Sequence, residues 1–213
     1  MSNFEEKYKE LNGILNSVLS GFLVSFKNEA LKDYIYAIKT RVKSFDHLQE
    51  KIKRKQSASR QITPENLVNE ITDLVGIRII VLYPQYFKEI HKFIMDNISS
   101  GIWILKENPI LFSWDDDTKN FFERELNFSN TEFRDSLYTS VHYVVRMNNT
   151  NNIPFCEIQV RTLLEEVFGE IDHEINYPQK TENSSMKTQL KVLAKMVAAA
   201  SKLTESIYQA KND

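Results

Sequence analysis

Apolar residues open the chain at helical spacing. Phe4, Tyr8, Leu11, Leu15, Val18 and Phe22 recur every three or four positions, so residues 4–38 are expected to form one or two amphipathic helices. Ser44 is placed to cap a further helix running to about Lys55, and residues 57–61 read as a polar loop. Thr63-Pro64 marks the start of a short helix that ends near Thr72, with a capping side chain before a proline at the first helical position. The pattern then changes period. Val75-Gly76-Ile77-Arg78-Ile79-Ile80-Val81-Leu82 is a β-branched run closed by a turn at Tyr83-Pro84, which predicts a buried strand. Phe87, Ile90, His91, Ile94 and Met95 return to helical spacing, and His91 on that apolar face reads as a core or boundary residue, not a ligand.

Residues 102–105 predict a strand, and residues 114–130 a polar, acidic loop. Residues 141–147 and 155–161 are two strand-like runs joined by Asn148-Asn149-Thr150-Asn151-Asn152, which makes them a hairpin. Thr162 followed by Glu165 is a capping box, so a helix should run to about Asn176 and end at Pro178. Met186, Leu190, Leu193, Val197 and Ala200 predict a last helix that packs on the N-terminal helices or, as the alternative, on a second copy of the chain. The sum is an α+β protein: a mixed sheet of four or five strands flanked by N- and C-terminal helices, in one structural domain.

Composition narrows the chemistry. Among 213 residues there are only five glycines, and no two are spaced to form either of the common glycine-rich phosphate loops. A bound nucleotide must therefore be held mainly by charged side chains. The single cysteine, Cys156, excludes an internal disulfide and a Cys-rich zinc site. Acidic residues near Met1 and the lack of a long apolar run lead us to expect a cytoplasmic protein with no membrane partner. Net charge is −2, yet between Lys39 and Arg60 eight basic residues face two acidic ones, a local net of +6. A focused basic segment on an acidic protein suits a polyphosphate or a nucleic acid; a solvated helix face is the plain alternative.

Asp73 lies just before the predicted strand at residues 75–82. In Phe155-Cys156-Glu157-Ile158-Gln159-Val160-Arg161, alternation puts Glu157, Gln159 and Arg161 on one face. Leaving such a face buried and unpaired costs several kcal/mol, so it implies a polar cleft, against the ordinary alternative of a solvent-facing side. Tyr138, Ser140 and His142 alternate on a strand read as beginning at Ser136, and a hairpin sets them beside Glu157 and Gln159. Carboxylates for Mg²⁺, cations for phosphates and an aromatic ring for a base together describe a nucleotide site.

Taken in order, Arg41-Val42-Lys43 with Lys51 and Arg54-Lys55, Asp73-Leu74-Val75-Gly76-Ile77-Arg78, Tyr138-Thr139-Ser140-Val141-His142, Glu157-Ile158-Gln159-Val160-Arg161-Thr162, and His173 with Asn176-Tyr177-Pro178 resemble the RelA/SpoT synthetase domain. The resemblance covers roughly residues 35–180 and is similar to a small alarmone synthetase. It implies a nucleotidyltransferase-like synthetase fold with a core at 39–180, N-terminal helices at 1–38 and a C-terminal helix at 181–213. It also implies transfer of the β,γ-pyrophosphate of ATP to the 3′-hydroxyl of GDP or GTP, giving (p)ppGpp and AMP.

Carried over residue by residue, the resemblance implies that Arg41, Lys43, Lys51 and Arg78 hold ATP. Asp73 and Glu157 would ligate Mg²⁺, with Glu157 also activating the acceptor hydroxyl. Tyr138 would stack on guanine, with His142, Gln159 and Arg161 around the acceptor. The chain departs from the family's commoner residues at His47, Leu137, Thr139 and Phe168, where serine, glycine, a basic residue and tryptophan are usual. The altered residues around Tyr138 and the +6 segment motivate an alternative, a relative that pyrophosphorylates the 3′ end of tRNA. A non-catalytic nucleotide-sensing module is the second alternative, against which the retained Asp73, Glu157, Lys43 and Lys51 argue.

Overall fold

The first helix, α1, runs as one piece over Ser2–Phe26 and turns Leu11, Leu15, Val18, Phe22 and Phe26 inward. The structure is a computed structural model and describes residues 2–57, 59–135, 137–148, 153–177 and 179–212. After a 3₁₀ turn at Glu29–Leu31, the end of the stretch expected to be helical, residues 37 and 38, instead opens an edge strand, β1, Ala37–Val42. Alternating charge explains the difference: Lys39 and Arg41 point to one face and Ile38 and Val42 to the other, a period of two inside what reads by composition as a basic helix. The helix α2, Phe45–Lys55, follows with Ser44 as its cap, as expected.

Pro64 opens only a turn. Asn66 is the N-cap of a single helical turn, α3, Leu67–Glu70, and accepts the Thr63 amide proton at 2.8 Å, so Thr63 does not cap. The strand β2, Val75–Val81, and the helix α4, Phe87–Ser99, fall where the periodicity places them. His91 on α4 meets the hydroxyl of Tyr143 at 2.7 Å inside the core, a boundary role.

Three short strands come next, β3 at Trp103–Leu105, β4 at Ile110–Ser113 and β5 at Thr131–Phe133. The segment expected to be a loop at 114–130 carries the helix α5, Asp116–Glu125. Asp115 caps it through the Thr118 amide, and Phe122, Leu126 and Phe128 are buried, so apolar anchors hidden among the acids hold it down. The hairpin is present as β6, Ser140–Met147, and β7, Cys156–Thr162. Its connector at 149–152 lies outside the described residues. So does Ser136, where the strand was expected to begin. Helix α6, Leu163–Asn176, starts at the Thr162/Glu165 capping box. Pro178 is also outside the described residues. The last helix, α7, spans Ser184–Asn212. Its principal neighbours are α6 and the turn at Pro84–Tyr86, where Tyr208 meets Tyr83 and Tyr86, rather than the expected N-terminal helices. Among the described residues, no helix is long and apolar enough to cross a membrane.

The sheet has seven strands instead of four or five, in the order β1-β2-β7-β6-β4-β5, with β3 also on β6. The central pair β2–β7 and the edge pair β4–β5 are parallel; the other pairs are antiparallel. One face carries Ile77, Ile79, Ile158, Val160, Val141 and Tyr143, all buried beneath α1 and α4. The other face is polar. Register puts Arg41, Gly76, Glu157 and Val144 in one row across it, and Lys39, Arg78, Gln159 and His142 in the next. The functional side chains follow from this two-sidedness.

Candidate active site

Five strands, β1, β2, β7, β6 and β4, supply the lining of the site. Glu157 is central: on one side, Lys39, Arg41, Gly76, Arg78 and Gln159 join it around a cleft of about 490 Å³. On the other, Lys51, Arg54, Phe112, Arg134, Tyr138 and His142 join it around a wider cleft of about 1000 Å³. One carboxylate thus borders two adjoining spaces, the first walled by cations and the second by cations and aromatic rings.

The Glu157 carboxylate accepts a 2.7 Å hydrogen bond from the Gln159 amide and lies 3.6 Å from His142 Nδ1. Burial pushes its pKa up. The hydrogen bond and charge of His142, the Gln159 amide and the Lys51 ammonium outweigh that push and hold the carboxyl down at about 2. Tyr138 reaches the site from just before β6. Its hydroxyl is 3.0 Å from His142 Nε2 and 3.4 Å from Gln159 Oε1. The preceding Leu137 has φ 56°, in the left-handed region that suits glycine, so leucine bears backbone strain beside the ring.

Asp73 gathers cations from two elements. Lys51 Nζ is 2.5 Å, Lys43 Nζ 3.1 Å and Arg41 Nη2 3.9 Å from its Oδ2. The ends of β1 and α2 meet here because Ser44 turns the chain from strand into helix, and the Tyr8 hydroxyl of α1 braces the turn by donating to the Lys43 carbonyl at 2.7 Å. Burial foremost lowers the pKa of Lys43, against the attraction of Asp73. A Cβ on Gly76 would stand 3.2 Å from the Arg41 side chain, so glycine leaves the room in which that side chain lies across the sheet.

Asp73 Oδ1 is buried with no hydrogen-bond partner. An orphaned carboxylate oxygen is a poor end state in a protein interior, and together with ionised Glu157 it fits a hard divalent cation whose other ligands are phosphate oxygens and water. Among the described residues there is no cluster of three acidic, histidine or cysteine side chains for a self-contained metal site.

Of the residues singled out in the sequence, Arg41, Arg78, Glu157 and Gln159 line the first cleft and Lys51, Tyr138, His142 and Glu157 the second. Asp73, Lys43 and Arg161 line neither. Lys43 sits beneath on Asp73, and Arg161, 4% exposed, stands behind Tyr138 with its guanidinium 5.4 Å from the ring centroid and Nε 2.8 Å from Glu166 Oε2. Sequence reasoning missed Lys39, Phe112, Arg134 and Glu166 as site residues. Lys39 had a signal, since Lys39, Arg41 and Lys43 alternate as a strand face does. Phe112 stacks edge-on to His142 and carries the Arg134 guanidinium 4.0 Å above its ring, a union of distant segments that no local spacing announces.

Gly169 on α6 makes room for Arg161. An alanine Cβ there would fall 2.3 Å from Arg161 Nη1. Helix propensity favours alanine by about 1 kcal/mol. Overpacking costs about 1–3 kcal/mol, and the buried guanidinium has nowhere to go. Gly169→Ala should therefore destabilise the fold by up to about 2 kcal/mol, the balance of these two terms. Urea denaturation checks it, and a gain in stability would mean that Arg161 moves freely.

The sequence profile described as the region found in RelA / SpoT proteins matches residues 40–182. Comparison with curated protein sequences gives no match. Among solved structures the chain is similar to the small alarmone synthetase 1 from Bacillus subtilis, with TM-score 0.68 and 18% identity, over 97% of this chain and 98% of that one. It is also similar to a GTP pyrophosphokinase family protein from Streptococcus pneumoniae, with TM-score 0.59 and 21% identity, over 98% and 91%. The Bacillus subtilis synthetase bound to its product pppGpp superposes with TM-score 0.61 and 17% identity, over 100% and 96%. At these identities the likeness speaks for the fold.

Proposed function

The chain belongs to the family of the region found in RelA / SpoT proteins, the alarmone synthetases, and on that footing we propose that it transfers the β,γ-pyrophosphate of ATP to the 3′-hydroxyl of GDP or GTP. The observation that supports this most is the position of Glu157 on the wall common to the two clefts. In-line transfer needs the donor phosphorus and the acceptor oxygen on either side of one point, with charge neutralised around it and no covalent intermediate.

ATP occupies the cation-walled cleft, its phosphates on Arg41 and Arg78 and reaching toward Lys51 at the border of the wider cleft, with Lys43 backing Asp73 from below. The acceptor nucleoside lies in the wider cleft, its base on the Tyr138 ring and its ribose near His142. Glu157 accepts the hydrogen bond of the 3′-hydroxyl and orients its lone pair toward the β-phosphorus. The new bond forms between that oxygen and the β-phosphorus. The bond from the β-phosphorus to the oxygen bridging to the α-phosphorus breaks, and AMP leaves. A carboxylate held near 2 is a weak proton acceptor, so the hydroxyl passes its proton to Glu157 late, as the new bond forms. Asp73 and Glu157 would hold a Mg²⁺, which would supply charge neutralisation to the transferred group.

A second reading keeps the donor side and changes the acceptor to the 3′ end of tRNA. What favours it is the basic rim of the wider cleft, with Lys51, Arg54, Lys55 and Arg134, broad enough for a polynucleotide end. An acceptor panel separates the two. Purified protein with labelled ATP and Mg²⁺ is offered GMP, GDP, GTP and bulk tRNA side by side. AMP release with a pyrophosphorylated guanosine nucleotide is expected. Label on tRNA and none on GDP or GTP moves the assignment to the second reading, and no transfer to any acceptor refutes both.

A further inference from the structure

The helix α6 lays two carboxylates against the donor cleft, and they differ in burial. Glu166 is 4% exposed, receives Arg78 Nη1 at 2.9 Å, pairs with Lys39 Nζ at 2.7 Å and lies 2.8 Å from Arg161 Nε, an ion pair without a hydrogen bond. One turn on, Glu170 has a side chain 53% exposed and lies 2.5 Å from Arg78 Nη1 and 3.5 Å from Lys39 Nζ. Arg78 and Lys39 both line the cleft where the donor phosphates are placed. Arg78 also donates from Nε to Gln159 at 3.3 Å, and Gln159 donates to Glu157, so α6 is joined to the reacting centre by one chain of contacts.

Resting on the donor assignment above, we propose that the two carboxylates have opposite effects on polyphosphate binding. Glu166 is a positioning residue that fixes Arg78 and Lys39 at the cleft wall, and Glu170 is a displaceable stand-in for a donor phosphate that yields those cations when a polyphosphate enters. The physical basis is the difference in solvent exposure. A buried carboxylate shared by three cations cannot leave without stranding them, whereas an exposed ion pair contributes little and exchanges readily for a better anion. A polyphosphate offers Arg78 the same geometry as Glu170 with more charge. No hydrogen bond to Arg78 Nη2 is made among the described residues, which leaves that nitrogen for the incoming oxygen.

Calorimetric titration of the full chain with inorganic tripolyphosphate and with a non-hydrolysable ATP analogue tests the proposal without requiring turnover. Glu170→Gln is expected to tighten both ligands by about two- to fivefold, the worth of a weak exposed competitor. Glu166→Gln is expected to weaken both by tenfold or more, and Glu166→Asp to recover part of the loss. Unchanged or weaker binding by Glu170→Gln overturns the stand-in role, and unchanged binding by Glu166→Gln overturns the positioning role. If Glu166→Gln does not fold, the sign of the Glu170→Gln effect decides. In turnover, Glu170→Gln should lower the KM for ATP. If wild-type protein transfers pyrophosphate to nothing yet the two variants shift tripolyphosphate affinity in opposite directions, the functional reading fails and this inference stands.

Discussion

Glu157→Gln should lower pyrophosphate transfer by at least about a thousandfold, the scale on which a preorganised charge at a reacting centre acts. Glutamine keeps the shape and can still pair with Gln159, so what is lost is the charge that borders both clefts. The fold should tolerate the change, because a neutral amide costs less to bury than a carboxylate. AMP formation followed with the best acceptor, with thermal melting as the control for folding, measures the effect. A folded variant within tenfold of wild type would remove Glu157 from the mechanism. The same carboxylate, held at about 2, stays ionised throughout the range in which the protein can be assayed. Any fall in rate between about pH 7 and 5 must then come from a group with a pKa in that range, as an ordinary histidine has.

Asp73→Ala should affect stability and activity together. Lys43 and Lys51 both rest on Asp73, and Lys43 is 9% exposed. Removing one partner of a buried ion pair costs about 3–5 kcal/mol, because the charge left behind has neither water nor counter-ion. Lys43, whose pKa burial already lowers, can limit the cost by giving up its proton, so the lower end of that range is expected near pH 9 and the upper end near pH 6. Urea denaturation at the two pH values checks the sign. A double variant, Asp73→Ala with Lys43→Met, should regain much of the stability and none of the activity, since the second change removes the stranded cation while the carboxylate proposed to hold Mg²⁺ stays absent. A loss under about 1 kcal/mol at both pH values would show that water reaches Lys43 and that the cluster is a surface feature.

The polar face of the sheet was legible because strands advertise it. Glu157, Gln159 and Arg161 alternate with Cys156, Ile158 and Val160, and the register in β7 keeps the two sets on opposite faces. His142 opposite Gln159 followed from the hairpin. The edge strand β1 was harder to see. Its lysine and arginine face solvent and the first cleft, so it lacks the apolar alternation that marks a half-buried strand. The helix α5 was hidden by acids that lie on its exposed side and at its N-terminus, where negative charge favours a helix. Glu166 and Glu170 were illegible for a different reason. On a helix after a capping box they look like solvated carboxylates, and only the packing of α6 onto the sheet shows that one is buried against three cations. Local spacing can announce a face but not what a distant element lays upon it.

The parallel pairing of β2 with β7 also bears on how the protein is made. Gly76 and Glu157 are neighbours in space, yet 81 positions separate them along the polypeptide. Closing so long a loop comes before its contacts can reward it, which places such sheets among the slower-folding topologies. Every cation that borders a cleft with Glu157, from Lys39 to Arg134, is synthesised before Glu157 itself. A nascent chain therefore carries its basic segment without the strand that completes the two clefts. Catalytic competence should appear abruptly, only after β7 has left the ribosome and inserted between two strands already made.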